Sequence, residues 1–345
     1  MTVPSEMEAT IAALLAFGKG ILAADESFPT IGKRFAALDI PSTEEKRRAY
    51  REMLFTVPGL GAYISGVILF DETIREQIGD ASIPEILDRQ GIVPGIKVDA
   101  GTTALTGLAG EKITLGLEGL GRRLIEYREL GARFTKWRAV IAIADRVPSL
   151  GCIKANAAAL ADFAALSQEA GLVPIVEPEI LMTGNHTLAR CEEVTYETLE
   201  CVFGALYQHQ VVMEHILLKT GMILSGSECP EQAGLQEVAE TTLRCLRRTV
   251  PAAVPGIVFL SGGQSDLAAT GRLNAICRMG DVPWKLSFSF GRALQDMAMK
   301  KWKGSNANAA VAQATLLHRA RCNSLAVQGR YSASSEEMIL NSSDK

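Results

Sequence analysis

Short apolar runs alternate with longer stretches of helical periodicity along nearly the whole chain. Eight of these runs are rich in aliphatic and aromatic residues, a pattern that predicts strands. They comprise residues 20–26, 64–71, 93–99, 134–141, 172–179, 216–223, 256–262 and 285–291. Helical patterns between them are clearest in residues 121–130, 155–170, 196–211 and 231–247.

Strands that alternate with helices, without a break in composition, predict a single (β/α)8 TIM barrel of the α/β class. We expect this barrel to span residues 1–331, including an amphipathic N-terminal helix within residues 1–18. A polar, serine-rich segment at residues 332–345 is predicted to be a flexible tail. A doubly wound open sheet is the alternative, but no glycine-rich dinucleotide-binding turn follows the first strand.

The eighth run supports closure of the barrel. Ser287, Ser289 and Gly291 share one side of the predicted strand, and Leu286, Phe288 and Phe290 share the other. Because side chains alternate along a strand, the large apolar side would pack on helices and the small side would face the barrel interior.

Composition narrows the possible partners and the cellular compartment. The chain has 345 residues, 48% of them hydrophobic, and a net charge of −4, so a general attraction to nucleic acid or anionic membrane is not expected. We find no apolar stretch of bilayer-spanning length and no basic N-terminal start typical of a signal peptide. Seven widely spaced cysteines fit free thiols in a cytoplasmic protein. The four histidines lack zinc-ligand spacing, which argues against a histidine-based metal site.

Lys219 is the first candidate for chemistry, because it lies inside the apolar run 216–223. Burial favours the neutral amine and lowers its pKa. A neutral amine in a dry pocket is a nucleophile toward a carbonyl carbon. The alternative is a lysine whose long side chain reaches past the strand end to water.

Charged residues also gather at the predicted carboxyl ends of five strands. In a parallel barrel these ends meet at one face, where catalytic residues of barrel enzymes lie. Residues two apart point to the same side of a strand. A balanced ion network that only fills the barrel mouth is the structural alternative for any one pair. The charged residues at the predicted strand ends are Asp25, Lys97, Asp99, Lys136, Arg138, Glu177, Glu179 and Lys219.

The last two strands end in a different combination of residues. Glycines and hydroxyls at Ser261, Gly262, Gly263 and Ser289 lie near Gly291 and Arg292. Glycine allows backbone N–H groups to approach an anion, and a helix N-terminus with an arginine adds positive potential. Phosphate sites of barrels commonly follow strands seven and eight, so this region predicts a phosphate site.

Together these segments resemble the class I fructose-bisphosphate aldolase family, whose members act through a lysine Schiff base. The resemblance extends from about residue 20 to residue 331 and includes the string Leu-Ser-Gly-Gly-Gln-Ser at 260–265. It implies reversible cleavage of fructose 1,6-bisphosphate to dihydroxyacetone phosphate and glyceraldehyde 3-phosphate, without metal or cofactor, in glycolysis and gluconeogenesis. It also implies a homo-oligomer, in many relatives a tetramer.

The resemblance implies a role for each charged residue at the barrel mouth. Lys219 would form the iminium with the substrate ketone, and Glu177 would dehydrate the carbinolamine. Asp25 would take the proton of the C4 hydroxyl, Lys136 would stabilise negative charge, and Glu179 would orient its neighbours. We expect Glu177 or Asp25 to titrate near the working pH, since a general base is most effective there.

The resemblance also implies which residues hold the two phosphates. One phosphate would bind at the end of the last two strands, through Ser261, Gly262, Gly263, Ser289, Gly291 and Arg292. The other would lie toward Thr30, Lys33, Arg34, Lys97 and Arg138.

Two positions depart from the family pattern. Where the family has Val-Asp-Lys-Gly, this chain has Ala100 in place of the lysine. This loss leaves open a preference for fructose 1-phosphate or for sedoheptulose 1,7-bisphosphate. The chain also lacks the terminal tyrosine with which many relatives protonate the enamine, and its last tyrosine is Tyr331.

Two further alternatives come from different classes of protein. A catalytically idle sugar-phosphate-binding scaffold could keep the barrel, but barrel stability alone does not require Lys219, Glu177, Asp25 and Lys136 together. A zinc-dependent aldolase is opposed by the number and placement of the histidines.

Overall fold

Eight parallel strands close into a barrel in this computed structural model, which describes residues 3–337. The last barrel strand pairs with the first, so that Ser289 lies opposite Ile21. The predicted (β/α)8 TIM barrel is therefore confirmed. The barrel strands are β1 (Gly20–Ala23), β2 (Ile64–Leu69), β3 (Val93–Lys97), β4 (Phe134–Ile141), β5 (Val173–Ile180), β6 (Leu217–Thr220), β7 (Gly256–Phe259) and β8 (Lys285–Phe290).

Helices surround the barrel, and one precedes it. The α-helices are Val3–Leu14, Phe28–Ala36, Glu44–Phe55, Asp71–Ile74, Ile83–Asp88, Leu120–Glu129, Leu150–Glu169, Leu188–Gln208, Leu235–Thr249, Asp266–Met279, Arg292–Trp302, Ala309–Val327 and Ser334–Glu337. Two antiparallel hairpins, Gln77–Ile78 with Ala81–Ser82 and Thr102–Ala104 with Lys112–Thr114, decorate the loops around β3.

Hydroxyl side chains fix where several of the outer helices begin. Ser149, Thr187 and Ser265 each accept a hydrogen bond from a backbone N–H in the first turn of the helix that follows. Such caps satisfy N–H groups that have no partner inside the helix. The loops after β4, β5 and β7 therefore end at defined points.

The apolar residues form one layer outside the barrel and another inside it. Phe288 and Phe290 belong to the outer layer, as the alternation along β8 predicts, whereas Ser287 donates to the carbonyl of Lys19 at 2.6 Å. The inner layer joins the N-terminal helix to the lower halves of the strands. It contains Met7, Ile11, Leu14, Leu15, Ile21, Ala23, Ile68, Phe134, Val173, Ile175, Leu217 and Val258.

Two glycines allow the inner layer to close. A Cβ atom at Gly95 would lie 2.3 Å from the ring of Phe134, and one at Gly66 would lie 2.5 Å from Leu14. Both distances are far below van der Waals contact, so a side chain at either position would displace its neighbour. The N-terminal helix and Phe134 thus seal the end of the barrel opposite the strand carboxyl ends.

Three expectations from the sequence need correction. Several strands end earlier than predicted, because the ladder of hydrogen bonds stops where the chain leaves the barrel, and Asp25, Asp99 and Ser261 therefore lie in loops. The predicted tail is packed at its start, where Ser334–Glu337 is helical and Ser335 is buried. Residues 338–345 lie outside the described part.

The third correction concerns the expectation that no apolar stretch has bilayer-spanning length. The helix Leu150–Glu169 is apolar and long enough to cross a membrane by length and composition, although more than half of it is buried in the fold.

Candidate active site

Four charged side chains meet inside the carboxyl end of the barrel. Lys219 on β6 places Nζ 2.9 Å from Oε1 of Glu177 on β5. Oε2 of Glu177 lies 3.3 Å from Nζ of Lys136 on β4. Nζ of Lys136 is in turn 2.6 Å from Oδ2 of Asp25, just after β1. The four groups form one continuous chain of alternating charge.

Lys219 is only 4% exposed, and Glu177 and Lys136 are each 3% exposed. The snorkelling alternative is therefore excluded, because the Lys219 side chain ends inside the barrel. Its amine is not isolated among apolar groups either, as it has a carboxylate partner. Buried ion pairs contribute little to net stability, since desolvation offsets the attraction. This arrangement is therefore better explained by chemistry than by folding.

The electrostatics of Asp25 differ from the expectation. Burial raises its pKa, but Lys136 foremost, with Lys219 and Lys97, lowers it to about 2. The expectation that Asp25 titrates near the working pH is therefore wrong for the free site. Burial lowers the pKa of Lys136, but Asp25 and Glu177 outweigh it and raise that pKa above its usual range. Both groups are charged at neutral pH.

The remaining charges at the rim are also paired. Nζ of Lys97 is 2.7 Å from Oδ1 of Asp99, which confirms that these two residues point together. Arg138 contacts the carboxylate of Glu179 through Nε. The side chain of Arg138 is 42% exposed, whereas that of Glu179 is 9% exposed. Arg138 is thus anchored at its base and open to solvent at its tip.

The structure brings the predicted phosphate residues together at the ends of β7 and β8. Gly262 and Gly263 both have positive φ, the conformation that glycine adopts most readily. A Cβ atom on Gly263 would lie 3.4 Å from Nη2 of Arg292, so that guanidinium lies over the glycine turn. Gly291 precedes the helix Arg292–Trp302 without a side-chain cap.

Two side chains in this region have polar groups available for a ligand. The hydroxyl of Ser289 is buried and has no hydrogen-bond partner within residues 3–337. Ser261 is 5% exposed and begins the glycine turn. Together with the N-terminus of a helix, these groups offer donors to an anion.

The residues predicted for the second phosphate are less uniform. Thr30 and Lys33 are exposed on the helix Phe28–Ala36. Arg34, in contrast, contacts Glu26, lies 2.9 Å from Oδ1 of Asp296, and donates to Gln295 at 3.2 Å. Its guanidinium is therefore largely occupied by protein acceptors, and a direct role in binding phosphate is weaker than predicted.

The sequence did not single out Glu26, which connects the site to the outer helices. One oxygen of Glu26 contacts Arg34, and the other is 2.7 Å from Nη2 of Arg51. Gln295 accepts from Tyr50 at 2.9 Å and donates to the carbonyl of Ala23 at 2.6 Å. The position of Glu26 directly after Asp25 was the available signal. Arg51 lies within the helix Glu44–Phe55, and nothing in the sequence pattern signalled its contact with Glu26.

Ala100 lies on the exposed rim beside a cleft of about 530 Å³. Its backbone N–H donates to the carbonyl of Leu115 at 2.7 Å, so the loop is held while the methyl group faces outward. Lys97, Asp99 and Arg123 also line this cleft. The departure from the family pattern therefore lies at an open, charged edge of the barrel mouth.

A closed parallel barrel with buried charges at the strand carboxyl ends defines a (β/α)8-barrel enzyme. The family model described as fructose-bisphosphate aldolase class-I matches residues 6–344. The chain belongs to the class I fructose-bisphosphate aldolase family, and it is an enzyme of the carbon–carbon lyase class.

Individual relatives agree with this membership. A probable fructose-bisphosphate aldolase class 1 of Xanthomonas axonopodis pv. citri is 54% identical over 94% of this chain and 98% of its own. A fructose-bisphosphate aldolase of Dictyostelium discoideum is 49% identical over 94% and 92%. The solved fructose-bisphosphate aldolase of Plasmodium falciparum, in complex with TRAP and a small-molecule inhibitor, is 46% identical with a TM-score of 0.94 and covers 96% of both chains.

Proposed function

We propose that the enzyme reversibly cleaves fructose 1,6-bisphosphate through a Schiff base on Lys219, without a metal ion. The products are dihydroxyacetone phosphate and glyceraldehyde 3-phosphate, and the setting is glycolysis and gluconeogenesis in the cytoplasm. The observation that carries this proposal is the buried contact of 2.9 Å between Lys219 Nζ and Glu177 Oε1. It unites a nucleophilic amine with an acid/base group, as covalent carbonyl catalysis requires.

The first half of the reaction joins the substrate to Lys219. Glu177 first takes a proton from the paired ammonium of Lys219, and the resulting neutral amine attacks the ketone carbon. The carbinolamine that forms loses its hydroxyl group as water. Glu177 is the proton donor for that departure, since its carboxyl group already contacts Nζ. The product of these steps is a positively charged iminium that can accept an electron pair.

The second half breaks the carbon–carbon bond. Asp25 takes the proton of the C4 hydroxyl while the electrons of the C3–C4 bond move to the iminium, which becomes a neutral enamine. The aldehyde product then leaves. Water protonates the enamine at C3, Asp25 returns its proton to solvent, and hydrolysis of the renewed iminium releases the second product and regenerates Lys219.

Loss of the positive charge on Lys219 helps a carboxylate with a low pKa to act as this base. Lys219 is one of the cations that hold the pKa of Asp25 down. When the iminium becomes a neutral enamine, that positive charge disappears. The pKa of Asp25 then rises as it receives the proton, so bond cleavage and proton transfer favour each other.

Two further residues support these steps without moving a proton. Lys136 stays cationic between Asp25 and Glu177, where it can stabilise developing negative charge on the substrate. Glu179 contacts Arg138 and thereby orients it at the rim.

The phosphates position the substrate by its two ends. Ser261, Gly262, Gly263 and Ser289, with Gly291 and Arg292, are proposed for one phosphate because they converge with free donors. Thr30, Lys33, Arg138 and Lys97 are proposed for the other. Arg34 is assigned a supporting role, since its own partners are Glu26, Asp296 and Gln295.

Ala100 supports a second candidate substrate preference. Its exposed methyl group leaves the rim without the cation that the family places there. Fructose 1-phosphate, which lacks the second phosphate, would then compete better with fructose 1,6-bisphosphate. The same chemistry on sedoheptulose 1,7-bisphosphate stays a separate alternative, since Ala100 does not decide sugar length. The scaffold alternative is less well supported, because burying four linked charges is costly without chemistry to perform. A homo-oligomer such as a tetramer rests on the family resemblance alone, and sedimentation analysis tests it.

Reductive trapping tests the mechanism directly. We expect borohydride with dihydroxyacetone phosphate to leave one adduct, which peptide mass mapping places on Lys219. The variant Lys219→Met should lose the adduct. Lys285→Met should keep it, because that lysine lies at the opposite end of the barrel and donates to the carbonyl of Leu15 at 3.5 Å. An adduct on another lysine, or none, would refute the Schiff base on Lys219.

A further inference from the structure

Three different electron-pair donors converge where the C-terminal segment meets the last long helix. His318 and Cys322 lie one turn apart on the helix Ala309–Val327, and Glu336 lies in the short helix Ser334–Glu337. Nε2 of His318 is 3.2 Å from Oε2 of Glu336 and 3.4 Å from Sγ of Cys322. Within residues 3–337 this is the one group of three histidine, cysteine or acidic residues close enough to hold a metal ion.

One ring nitrogen of His318 cannot serve both contacts as donor and acceptor at the same time, and the Cys322 thiol also donates to the carbonyl of Ser335 at 3.6 Å. The same nitrogen, Nε2, faces the thiol and the carboxylate. If Nε2 carries a hydrogen it can donate to Glu336 but cannot accept from Cys322, and without that hydrogen the reverse holds. A thiol–imidazole–carboxylate relay is also excluded, because it uses both ring nitrogens. A cation at the common centre would engage all three donors at once.

The distances fit a tetrahedral zinc site. Typical Zn–N, Zn–O and Zn–S bonds of about 2.05, 2.0 and 2.3 Å give edges of about 3.3 Å between N and O and about 3.6 Å between N and S. The corresponding separations here are 3.2 and 3.4 Å. Both edges from His318 thus match those around a shared ion, and the third pair of ligand atoms, on Cys322 and Glu336, lies within 4.8 Å.

The surroundings hold the carboxylate in place. Nη1 of Arg319 is 2.5 Å from Oε1 and 2.6 Å from Oε2 of Glu336, and the hydroxyl of Tyr331 donates to Oε1 at 2.7 Å. Arg319 is fixed by Thr270, to which it donates at 2.6 Å. Hydrogen bonds of this kind orient the carboxylates that ligate metals.

We infer that His318, Cys322 and Glu336 form a site for a borderline-soft divalent cation, with Zn²⁺ as the best match. Mixed sulfur, nitrogen and oxygen ligands favour zinc over magnesium or calcium. On binding, the Cys322 thiol releases its proton to solvent, and the hydrated ion exchanges three waters for Sγ, Nε2 and Oε2. One water stays in the fourth position. The ion fastens the C-terminal segment to the helix Ala309–Val327 and takes no part in the aldol chemistry.

Cobalt binding to the full chain tests this site. After removal of bound metals, we expect one equivalent of Co²⁺ to produce a sulfur-to-cobalt charge-transfer band that Zn²⁺ displaces. Cys322→Ser should abolish the band, and His318→Gln should weaken binding by more than about 10- to 100-fold, which is the cost of losing an outer-shell partner alone. Cys201→Ser is the matched control, because Cys201 is a partly exposed thiol on another helix; this variant should bind cobalt like the parent.

Limited proteolysis gives a second readout that does not depend on the folding of a variant. Arg330 is exposed and immediately precedes the segment that the ion would fasten. If cleavage after Arg330 requires release of that segment, Zn²⁺ at 100 times its Kd should slow cleavage by up to about 100-fold, and a chelator should reverse the effect. The absence of a charge-transfer band, or a band that needs Cys322 but neither His318 nor Glu336, would reject the three-ligand site. Equal cleavage rates with and without zinc would also reject it.

Discussion

The lower and upper halves of the barrel interior differ sharply, although the same strands supply both. On β5 the inward-facing Val173 and Ile175 belong to the apolar inner layer, while Glu177, two residues later, is ion-paired. On β6 the change occurs between Leu217 and Lys219. One face of one strand therefore passes from packing to charge within a single repeat of its alternation.

This difference separates the residues that stabilise the barrel from the residues that serve its chemistry. The lower half removes apolar side chains from water, which is favourable at about 25 cal/mol per Å². The upper half buries four linked charges, whose desolvation largely offsets their attraction. We therefore expect substitutions in the lower half to act on stability, and substitutions in the upper half to act on turnover.

Lys219→Met should have the largest effect in the upper half. It removes the proposed nucleophile while keeping side-chain volume, so kcat/KM for fructose 1,6-bisphosphate should fall by about 10⁴-fold or more. Steady-state kinetics measure the loss, and circular dichroism checks that the variant is folded. A folded variant that keeps more than about one hundredth of the activity would contradict the Schiff-base mechanism. It would also contradict the division of the barrel interior into a stabilising lower half and a catalytic upper half.

Leu217→Ala is the matched change two residues below. Leu217 is fully buried in the inner layer, so truncation should lower the free energy of unfolding by about 2 to 5 kcal/mol. Urea denaturation measures this loss, and kcat/KM per folded molecule should stay close to the parent value. If turnover fell strongly while stability did not, the division between the two halves would be wrong.

The sequence was sufficient to predict the barrel because its signals are local. Alternation of apolar runs and helical stretches identifies the strands, and position at a strand end identifies Lys136 and Glu177 as neighbours in space. Partner choice was not predictable in the same way. Lys136 and Arg138 share a strand face, yet Lys136 pairs with Asp25 and Arg138 with Glu179. That choice depends on the stagger between strands, which the residue pattern does not specify.

The acid stability of the site should depend on Asp25. Its pKa is lowered from 3.8 to about 2, so its contribution to stability is present above pH ~4 and is lost as the pH falls toward 2. This shift corresponds to about 2 kcal/mol. We expect the difference in unfolding free energy between the parent and Asp25→Asn to shrink by about two-thirds of that amount, about 1.5 kcal/mol, between pH 5 and pH 2.5, as measured by urea denaturation. A constant difference across this range would count against the ion pair with Lys136.

The low pKa of Asp25 could not be inferred from the sequence. Burial and cations act in opposite directions, and only the geometry shows that Lys136, Lys219 and Lys97 together outweigh burial. Arg34 is a similar case. It carries the charge expected of a phosphate ligand, but Glu26 and Asp296 already occupy its guanidinium.

Deletion of residues 332–345 tests whether the C-terminal segment belongs with the stabilising part of the molecule. It removes Glu336 from the buried guanidinium of Arg319 and from Tyr331, so we expect a loss of about 1 to 2 kcal/mol in unfolding free energy. Activity per folded molecule should change little. Deletion of residues 338–345 alone keeps Glu336 and is the control. A large drop in kcat from the longer deletion at unchanged stability would instead assign the segment to the chemistry.

The smallest expected effect concerns the rim of the barrel mouth, which belongs to neither half of the barrel interior. Ala100 is exposed, so Ala100→Lys adds a cation beside Lys97 without disturbing the core. An exposed charge is worth about 0.2 to 1 kcal/mol, and the ratio of kcat/KM for fructose 1,6-bisphosphate over fructose 1-phosphate should therefore rise by about threefold. Ala100→Gln adds similar bulk without charge and should leave the ratio unchanged. Since screening weakens exposed charges, the gain should also shrink at high salt. An equal ratio in all three proteins would mean that the second phosphate does not approach this edge of the barrel mouth.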